Sequence, residues 1–109
     1  MVKDDRTYLL HILECIGRIE EAVRDGRAVF DASHVIQDAV MRNLQVMAES
    51  TQRLSSGLKA DHSEIDWVGI AGFRNVLVHD YFGVDLDVVW QIAARDLPTL
   101  KTATLRMLV

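Results

Sequence analysis

The sequence has one cysteine, Cys15, and one proline, Pro98, among its 109 residues. A single cysteine excludes a disulfide within the chain and any metal site built from several thiolates. No apolar run approaches the roughly 18 residues of a membrane span, and the opening residues MVKDDRTY do not resemble a secretory signal. Because thiols stay reduced in the cytoplasm, these features predict a cytoplasmic protein that is not bound to a membrane.

A surplus of basic charge is also missing. The chain has 12 lysines and arginines against 16 aspartates and glutamates, which gives a formal net charge of −4. Proteins that bind nucleic acid usually carry a basic field. The charge therefore argues against a broad RNA-binding surface. It favours a basic partner and a narrow, specific RNA contact such as the end of a tRNA.

Most of the sequence has the periodicity of apolar residues that is typical of helices. Half of the residues are apolar, and no segment alternates in the manner of a half-buried strand. Apolar residues recur every three or four positions over residues 4–24, a helix that ends at Gly26. Asp31 or Ser33 is expected to cap a second helix that runs to about Leu54. A chain of this length can bury one core, so we expect a single domain over residues 1–109.

The second half of the chain predicts two or three more helices. Asp61 followed by Glu64 has the pattern of a capping box for the third helix. Asp85 is the expected cap of the fourth. Pro98 predicts a break or kink near Asp96, before a last helix that runs to about residue 107. The predicted fold class is all-α, with four or five helices in an up-and-down bundle.

The third helix is expected to be the central one. Residues 65–80 contain no proline and are apolar nearly all round. A helix of this kind is usually buried, so we expect it to be covered by its own bundle and by a second copy of the chain. The commonest symmetric oligomer is a homodimer.

Four polar residues interrupt the apolar surroundings of this helix. Asn75 and His79 are four apart and share a helical face, whereas Arg74 and Tyr81 are seven apart and share a neighbouring face. His79 lies about 140° round the helix from Arg74. One helix therefore does not bring Arg74 and His79 together. Gly83 is the expected end of the helix.

An arginine and a histidine are a sufficient set for cutting RNA. The guanidinium group offers a fixed fork of donors that matches a phosphate, and imidazole transfers protons near neutral pH. The 2′-hydroxyl of the RNA would be the nucleophile. Hydrolysis by a metal would need carboxylate or histidine ligands grouped round an open site, and close to these residues only Asp80 and Asp85 are candidates. We therefore expect no metal and no cofactor.

The spacing of the four residues resembles a known signature. Arg74 and Asn75, four further residues, His79, one residue and Tyr81 resemble the R-polar-x4-H-x-Y signature of the HepT-like branch of the HEPN superfamily. The resemblance spans almost the whole chain. It extends to residues that flank the signature, namely Phe73, Gly83-Val84-Asp85, Val89-Trp90 and Asp96-Leu97-Pro98.

The resemblance implies a function and the partners that go with it. It implies a metal-independent endoribonuclease toxin that forms a homodimer or higher oligomer and cuts RNA, with tRNA the expected target, in a cleft shared by two signature helices. Arg74 and His79 would be catalytic and Asn75 would support them. In this family, an MNT-type nucleotidyltransferase antitoxin transfers AMP to the tyrosine that matches Tyr81, which would become O-AMP-tyrosine. The added charge would occupy the anion site.

A second function stays open. A helical dimer without catalysis could bind a nucleotide or a nucleotidyltransferase partner through the same cleft, and an arginine and histidine on one helix are often structural. Loss of RNA cleavage on replacing His79 by alanine, with the fold intact, distinguishes the ribonuclease from this binding module.

Overall fold

The computed structural model describes residues 4–109, and within them all regular secondary structure is helical. The all-α prediction is confirmed. Four long helical segments form the bundle, and two short helices lie between them. The elements are α1 (Asp5–Val23), α2 (Arg27–Ala32), α3 (His34–Gln52), α4 (Ser56–Ala60), α5 (Trp67–His79), a 3₁₀ turn (Tyr81–Gly83), α6 (Leu86–Gln91), a π segment (Ile92–Asp96) and α7 (Leu97–Leu108).

Side-chain caps set several helix starts. Ser33 accepts a hydrogen bond from the backbone N–H of residue 36 at 3.2 Å and begins α3, which settles the choice between Asp31 and Ser33. Asp85 caps α6 as predicted. The predicted capping box of the third helix is wrong, because Asp61 ends α4 and Asp66 caps α5. Short α2 and α4 were not predicted, since neither is long enough to show a helical period.

The core lies where α1, α3 and the C-terminal helix meet. Its fully buried side chains are Ile12, Ile16, Ile19, Phe30, Val40, Leu44, Val89 and Thr104. Cys15 is buried beside them, and burial raises the pKa of its thiol. The ring of Phe30 packs on that of Trp90 with centroids 5.4 Å apart, which joins α2 to α6.

Helix α5 is not buried by its own chain. It packs on α3, and of its 13 residues only Leu77 is buried. On the side away from Leu77, Val68 is 84% exposed. The prediction that its own bundle covers this helix is therefore wrong for the outer face, and cover by a second copy stays a prediction. No other helix of the described residues lies over its outer face.

Pro98 does not break the chain into two helices. The backbone stays helical from α6 into α7, and the irregularity is the π segment just before the proline. The N–H of Leu97 donates to the carbonyl of Ile92, five residues earlier. A π segment re-pairs backbone groups within a helix, so the chain accommodates the proline, which lies in the first turn of α7 and lacks a donor. Between residues 4 and 109, no helix has the length and apolar character needed to span a membrane.

Candidate active site on helix α5

The outer face of α5 is a mixed stripe of exposed residues. We call the α5 stripe the set Val68, Gly72, Asn75, Val76 and His79. Their spacing of three or four residues places them on one side of the helix, opposite buried Leu77. Asn75 and His79 therefore share a face, as predicted from their spacing.

Arg74 leaves α5 on a different side and meets α3. Its Nε and Nη2 donate to the same carboxylate oxygen, Oε2 of Glu49, at 3.2 and 3.1 Å. Its Nη1 donates to the side-chain oxygen of Asn75 at 3.2 Å. The side chains of Arg74 and Glu49 are 29% and 37% exposed. The guanidinium group is thus held between two helices with part of its surface open.

His79 is the last residue of α5, and its side chain is exposed. It follows Arg74 by five positions, so the two side chains leave the helix about 140° apart. The contacts of Arg74 are with Glu49 and Asn75. Within one chain, the structure therefore brings together Arg74 and Asn75 and leaves His79 on the outer face.

Tyr81 lies beyond the helix. The helix ends at His79 rather than at Gly83, and Tyr81 begins the 3₁₀ turn. The premise that Tyr81 continues the face of Arg74 is therefore wrong. Its hydroxyl donates to Oδ1 of Asp38 on α3 at 2.7 Å. Partial burial, together with the hydrogen bond to this carboxylate and its charge, raises the pKa of Tyr81 to about 12.

The 3₁₀ turn also presents an aromatic ring. Phe82 is fully exposed, and its ring meets the ring of Tyr81 edge to face at 5.6 Å. At Gly83 the carboxylate of Asp80 packs over the backbone, 2.5 Å from where a Cβ would lie. The turn thus holds Tyr81 against α3 and points Phe82 outward.

Two site residues on α3 were missed by sequence reasoning. Asp38 and Glu49 hold Tyr81 and Arg74 respectively. They are eleven residues apart, which places them on one face of α3 with Gln45 between them. This polar row was visible in the sequence. The sequence did not indicate its role, because only the packing of α5 on α3 shows that the row contacts Arg74 and Tyr81. These are two of the four signature residues, which are Arg74, Asn75, His79 and Tyr81.

No signature residue lines the groove of about 480 Å³ that runs between α3, α5 and the C-terminal helix. Its walls are mainly apolar, and Glu64, Asp66 and Asp96 lie among its lining residues. Within residues 4–109, no three His, Cys, Asp or Glu side chains are grouped so that they could hold a metal ion. The candidate site is therefore the surface formed by the end of α5, the 3₁₀ turn and the polar row of α3.

The bundle and the signature on its exposed helix are those of the HEPN superfamily. A family model described as ribonuclease HepT-like matches residues 12–107. The chain belongs to this HepT-like family of ribonucleases.

Curated relatives carry similar names. The chain is 36% identical over 102 residues to a "probable ribonuclease HepT" of Thermococcus cleftensis, covering 93% of each protein. It is 34% identical over 101 residues to a "putative RNase" of Caldanaerobacter subterraneus subsp. tengcongensis, covering 92% of this chain and 90% of that protein.

A longer relative is a "gamma-glutamylcyclotransferase and putative RNase" of Methanocaldococcus jannaschii, which is 37% identical over 109 residues. The match covers 99% of this chain but only 49% of that protein. No solved structure matches the chain.

Proposed function

We propose that this chain is a metal-independent endoribonuclease toxin of a HEPN/MNT pair, active as a homodimer in the cytoplasm, with tRNA as its expected target. One observation carries the proposal. A braced arginine and an exposed histidine occupy the same helix, and that helix leaves its outer face uncovered.

Each signature residue has a chemical role in the proposal. The end of the Arg74 guanidinium group would bind the scissile phosphate and balance the charge that develops in the transition state. His79 would move a proton, as base for the attacking 2′-hydroxyl or as acid for the departing 5′-oxygen. Bond formation at phosphorus and loss of the 5′-oxygen would leave a 2′,3′-cyclic phosphate. Asn75 would support Arg74, whose Nη1 already donates to its side chain.

A second copy of the chain would complete the site. Arg74 and His79 leave one helix about 140° apart, whereas a single phosphate needs both groups nearby. Packing the α5 stripes of two copies together would cover Val68 and Val76, which are 84% and 41% exposed. It would also bring His79 and Asn75 of both copies to one cleft. The apolar residues of the stripe favour this arrangement, since their burial is stabilising.

Transfer of AMP to Tyr81 would silence the enzyme, with an MNT-type nucleotidyltransferase as the antitoxin. The modified oxygen has no proton, so it could no longer donate to Asp38. The new phosphodiester charge would also repel that carboxylate. Modification would thus release the 3₁₀ turn from α3 and place a nucleotide at the end of α5, where His79 lies.

The test of catalysis is a tRNA cleavage assay with EDTA present. Wild-type protein, confirmed by mass spectrometry to be unmodified at Tyr81, should cleave. His79→Ala should be slower by about 100-fold or more, as expected for loss of a general acid or base, and Arg74→Ala should be similarly impaired. His11→Ala and Arg95→Ala are matched controls, because both side chains are exposed and lie outside the site.

A non-catalytic binding module is the second candidate, and the acidic surroundings favour it. The carboxylates of Asp38 and Glu49 accept hydrogen bonds from Tyr81 and Arg74 respectively. Their negative charge weakens the electrostatic attraction between the site and RNA phosphates. This candidate predicts no cleavage by folded, unmodified protein across several RNAs. It also predicts nucleotide or nucleotidyltransferase binding that survives His79→Ala.

The modification has its own test. The protein is incubated with ATP and an MNT-type nucleotidyltransferase, and AMP adducts are located by mass spectrometry. Wild type and Tyr8→Phe should gain AMP and lose cleavage, whereas Tyr81→Phe should resist both effects. An adduct on another residue would refute the assignment to Tyr81 without touching the ribonuclease proposal.

A further inference from the structure

The guanidinium group of Arg74 is held by Glu49 on the neighbouring helix α3. Both Nε and Nη2 of the guanidinium group donate to Oε2 of Glu49. Gln45, one helical turn before Glu49, lies 3.5 Å from the same oxygen through its Nε2. Arg74 and Glu49 are 25 positions apart in the chain, so this contact links α5 to α3 directly.

The contact decides which edge of the arginine can bind a phosphate. A guanidinium group offers two chelating edges, a side edge made of Nε and Nη2 and an end edge made of Nη1 and Nη2. Glu49 occupies the side edge. A phosphate that binds in chelating geometry must therefore meet the end edge, where Asn75 accepts one hydrogen bond from Nη1.

By holding Arg74 in one orientation, Glu49 offsets the loss of conformational entropy that would otherwise accompany substrate binding. An arginine side chain has several rotatable bonds, and fixing them is opposed by the loss of rotamer entropy. Contact with a carboxylate that is itself anchored on a helix fixes them before substrate arrives. Preorganised charge of this kind acts mainly on the transition state, because small displacements of a catalytic group lower the rate far more than they weaken binding.

We propose that Glu49 is a positioning residue of the ribonuclease site, which holds the side edge of Arg74 so that its end edge faces the scissile phosphate of an RNA substrate. The proposal rests on the ribonuclease function proposed above. It assigns to α3 a share in catalysis, although Glu49 itself would touch neither substrate nor reacting atoms.

A competing role for Glu49 predicts the opposite result. If its carboxylate stood in for a phosphate and blocked Arg74, removing its charge would speed cleavage. If it positions Arg74, removing its charge should lower kcat. The same change should leave KM equal or lower, since Arg74 keeps its positive charge and loses a nearby negative one.

The experiment compares Glu49→Gln with wild type in RNA cleavage with EDTA present. Glutamine keeps an acceptor oxygen but loses the charge, and we expect kcat to fall by about tenfold or more. Glu14→Gln is the matched control, since Glu14 also pairs with an arginine, Arg18 at 2.7 Å, but on the exposed surface of α1. It should behave like wild type. Glu49→Asp should restore part of the rate.

A double variant separates positioning from a general loss of structure. If Glu49 acts through Arg74, then Arg74→Ala with Glu49→Gln should be no slower than Arg74→Ala alone. Thermal denaturation should show that every variant is folded. A purely structural role would instead lower the melting temperature and add to the Arg74 defect.

The outcomes distinguish the two proposals. If wild type cleaves, Arg74→Ala does not, and Glu49→Gln matches wild type or exceeds it, the positioning role is refuted and the ribonuclease stands. If folded, unmodified wild type does not cleave RNA, the ribonuclease proposal fails and the role of Glu49 in it fails as well.

Discussion

Replacing Gly72 by glutamine should strengthen the fold of one chain while preventing two chains from associating. An ideal Cβ at Gly72 has no neighbouring heavy atom within 4 Å, so the larger side chain fits. A glycine inside a helix costs roughly 0.5–1 kcal/mol relative to alanine, and glutamine is nearly as good a helix former as alanine. The isolated chain should therefore gain most of that free energy.

The gain in the free energy of unfolding of one chain is large enough to measure. For a domain of this length, about 1 kcal/mol raises the melting temperature by roughly 4–8 °C. At protein concentrations where the wild type is monomeric, Gly72→Gln should therefore melt a few degrees higher. Gly17→Gln is the matched control, because Gly17 is an exposed glycine inside α1 where an added Cβ would also meet no heavy atom within 4 Å.

Association should respond differently at the two glycines. Gly72 lies in the middle of the α5 stripe, and a long polar side chain there would separate two packed copies. Sedimentation velocity at rising concentration should show a dimer for wild type and Gly17→Gln and a monomer for Gly72→Gln. RNA cleavage should fall with the dimer. A Gly72→Gln protein that still dimerises and cleaves like the control would refute the α5 stripe as the interface.

Two further predictions concern the turn and the register of the dimer. In a Tyr8→Phe background, the near-ultraviolet absorbance should titrate Tyr81 at a pKa of about 12, and Asp38→Asn should lower it only part of the way to 10.0, because burial is the larger cause. The raised pKa means that the contribution of this hydroxyl to stability is complete below pH 10 and is lost as the pH rises through 12. If the pKa of Tyr81 is the same in Asp38→Asn as in the parent, the hydrogen bond between Tyr81 and Asp38 is refuted. Val76→Cys should form a disulfide-linked dimer under mild oxidation and Val68→Cys should not, as judged by non-reducing electrophoresis, and the reverse result would place the dimer axis at the other end of α5.

Local signals in the sequence were enough for much of the fold. The period of apolar residues located α1 and α3. The cap Asp85 was predicted correctly, and Ser33 was one of the two candidates for the cap of α3. The prediction that Asp61 caps the third helix was wrong because the capping-box pattern needs only two residues, and such pairs also occur where a short helix ends. The prediction that α5 is buried was wrong for a different reason. An apolar helix is expected to be buried, but its sequence does not distinguish burial within its own chain from burial against another copy.

The features of the site that lie within one helix were predictable from the sequence, whereas the contacts between helices were not. The shared face of Asn75 and His79 and the separation of Arg74 from His79 follow from helical geometry, and both were predicted. The contacts of Arg74 with Glu49 and of Tyr81 with Asp38 join residues 25 and 43 positions apart. Such pairs depend on how helices pack, which the spacing of residues within one segment does not encode.

The position of a two-fold axis along α5 decides whether a dimer has one shared site or two distant ones. With a rise of about 1.5 Å per residue, a crossing at Val68 would leave each His79 about 16 Å along its helix from the axis. A crossing at Val76 would leave each about 5 Å away. Only the second places both histidines near one phosphate. Because the two valines lie on the same exposed face, burial of apolar surface alone does not choose between them. The requirement that Arg74 and His79 meet one substrate does, and it favours an axis near the C-terminal end of the stripe.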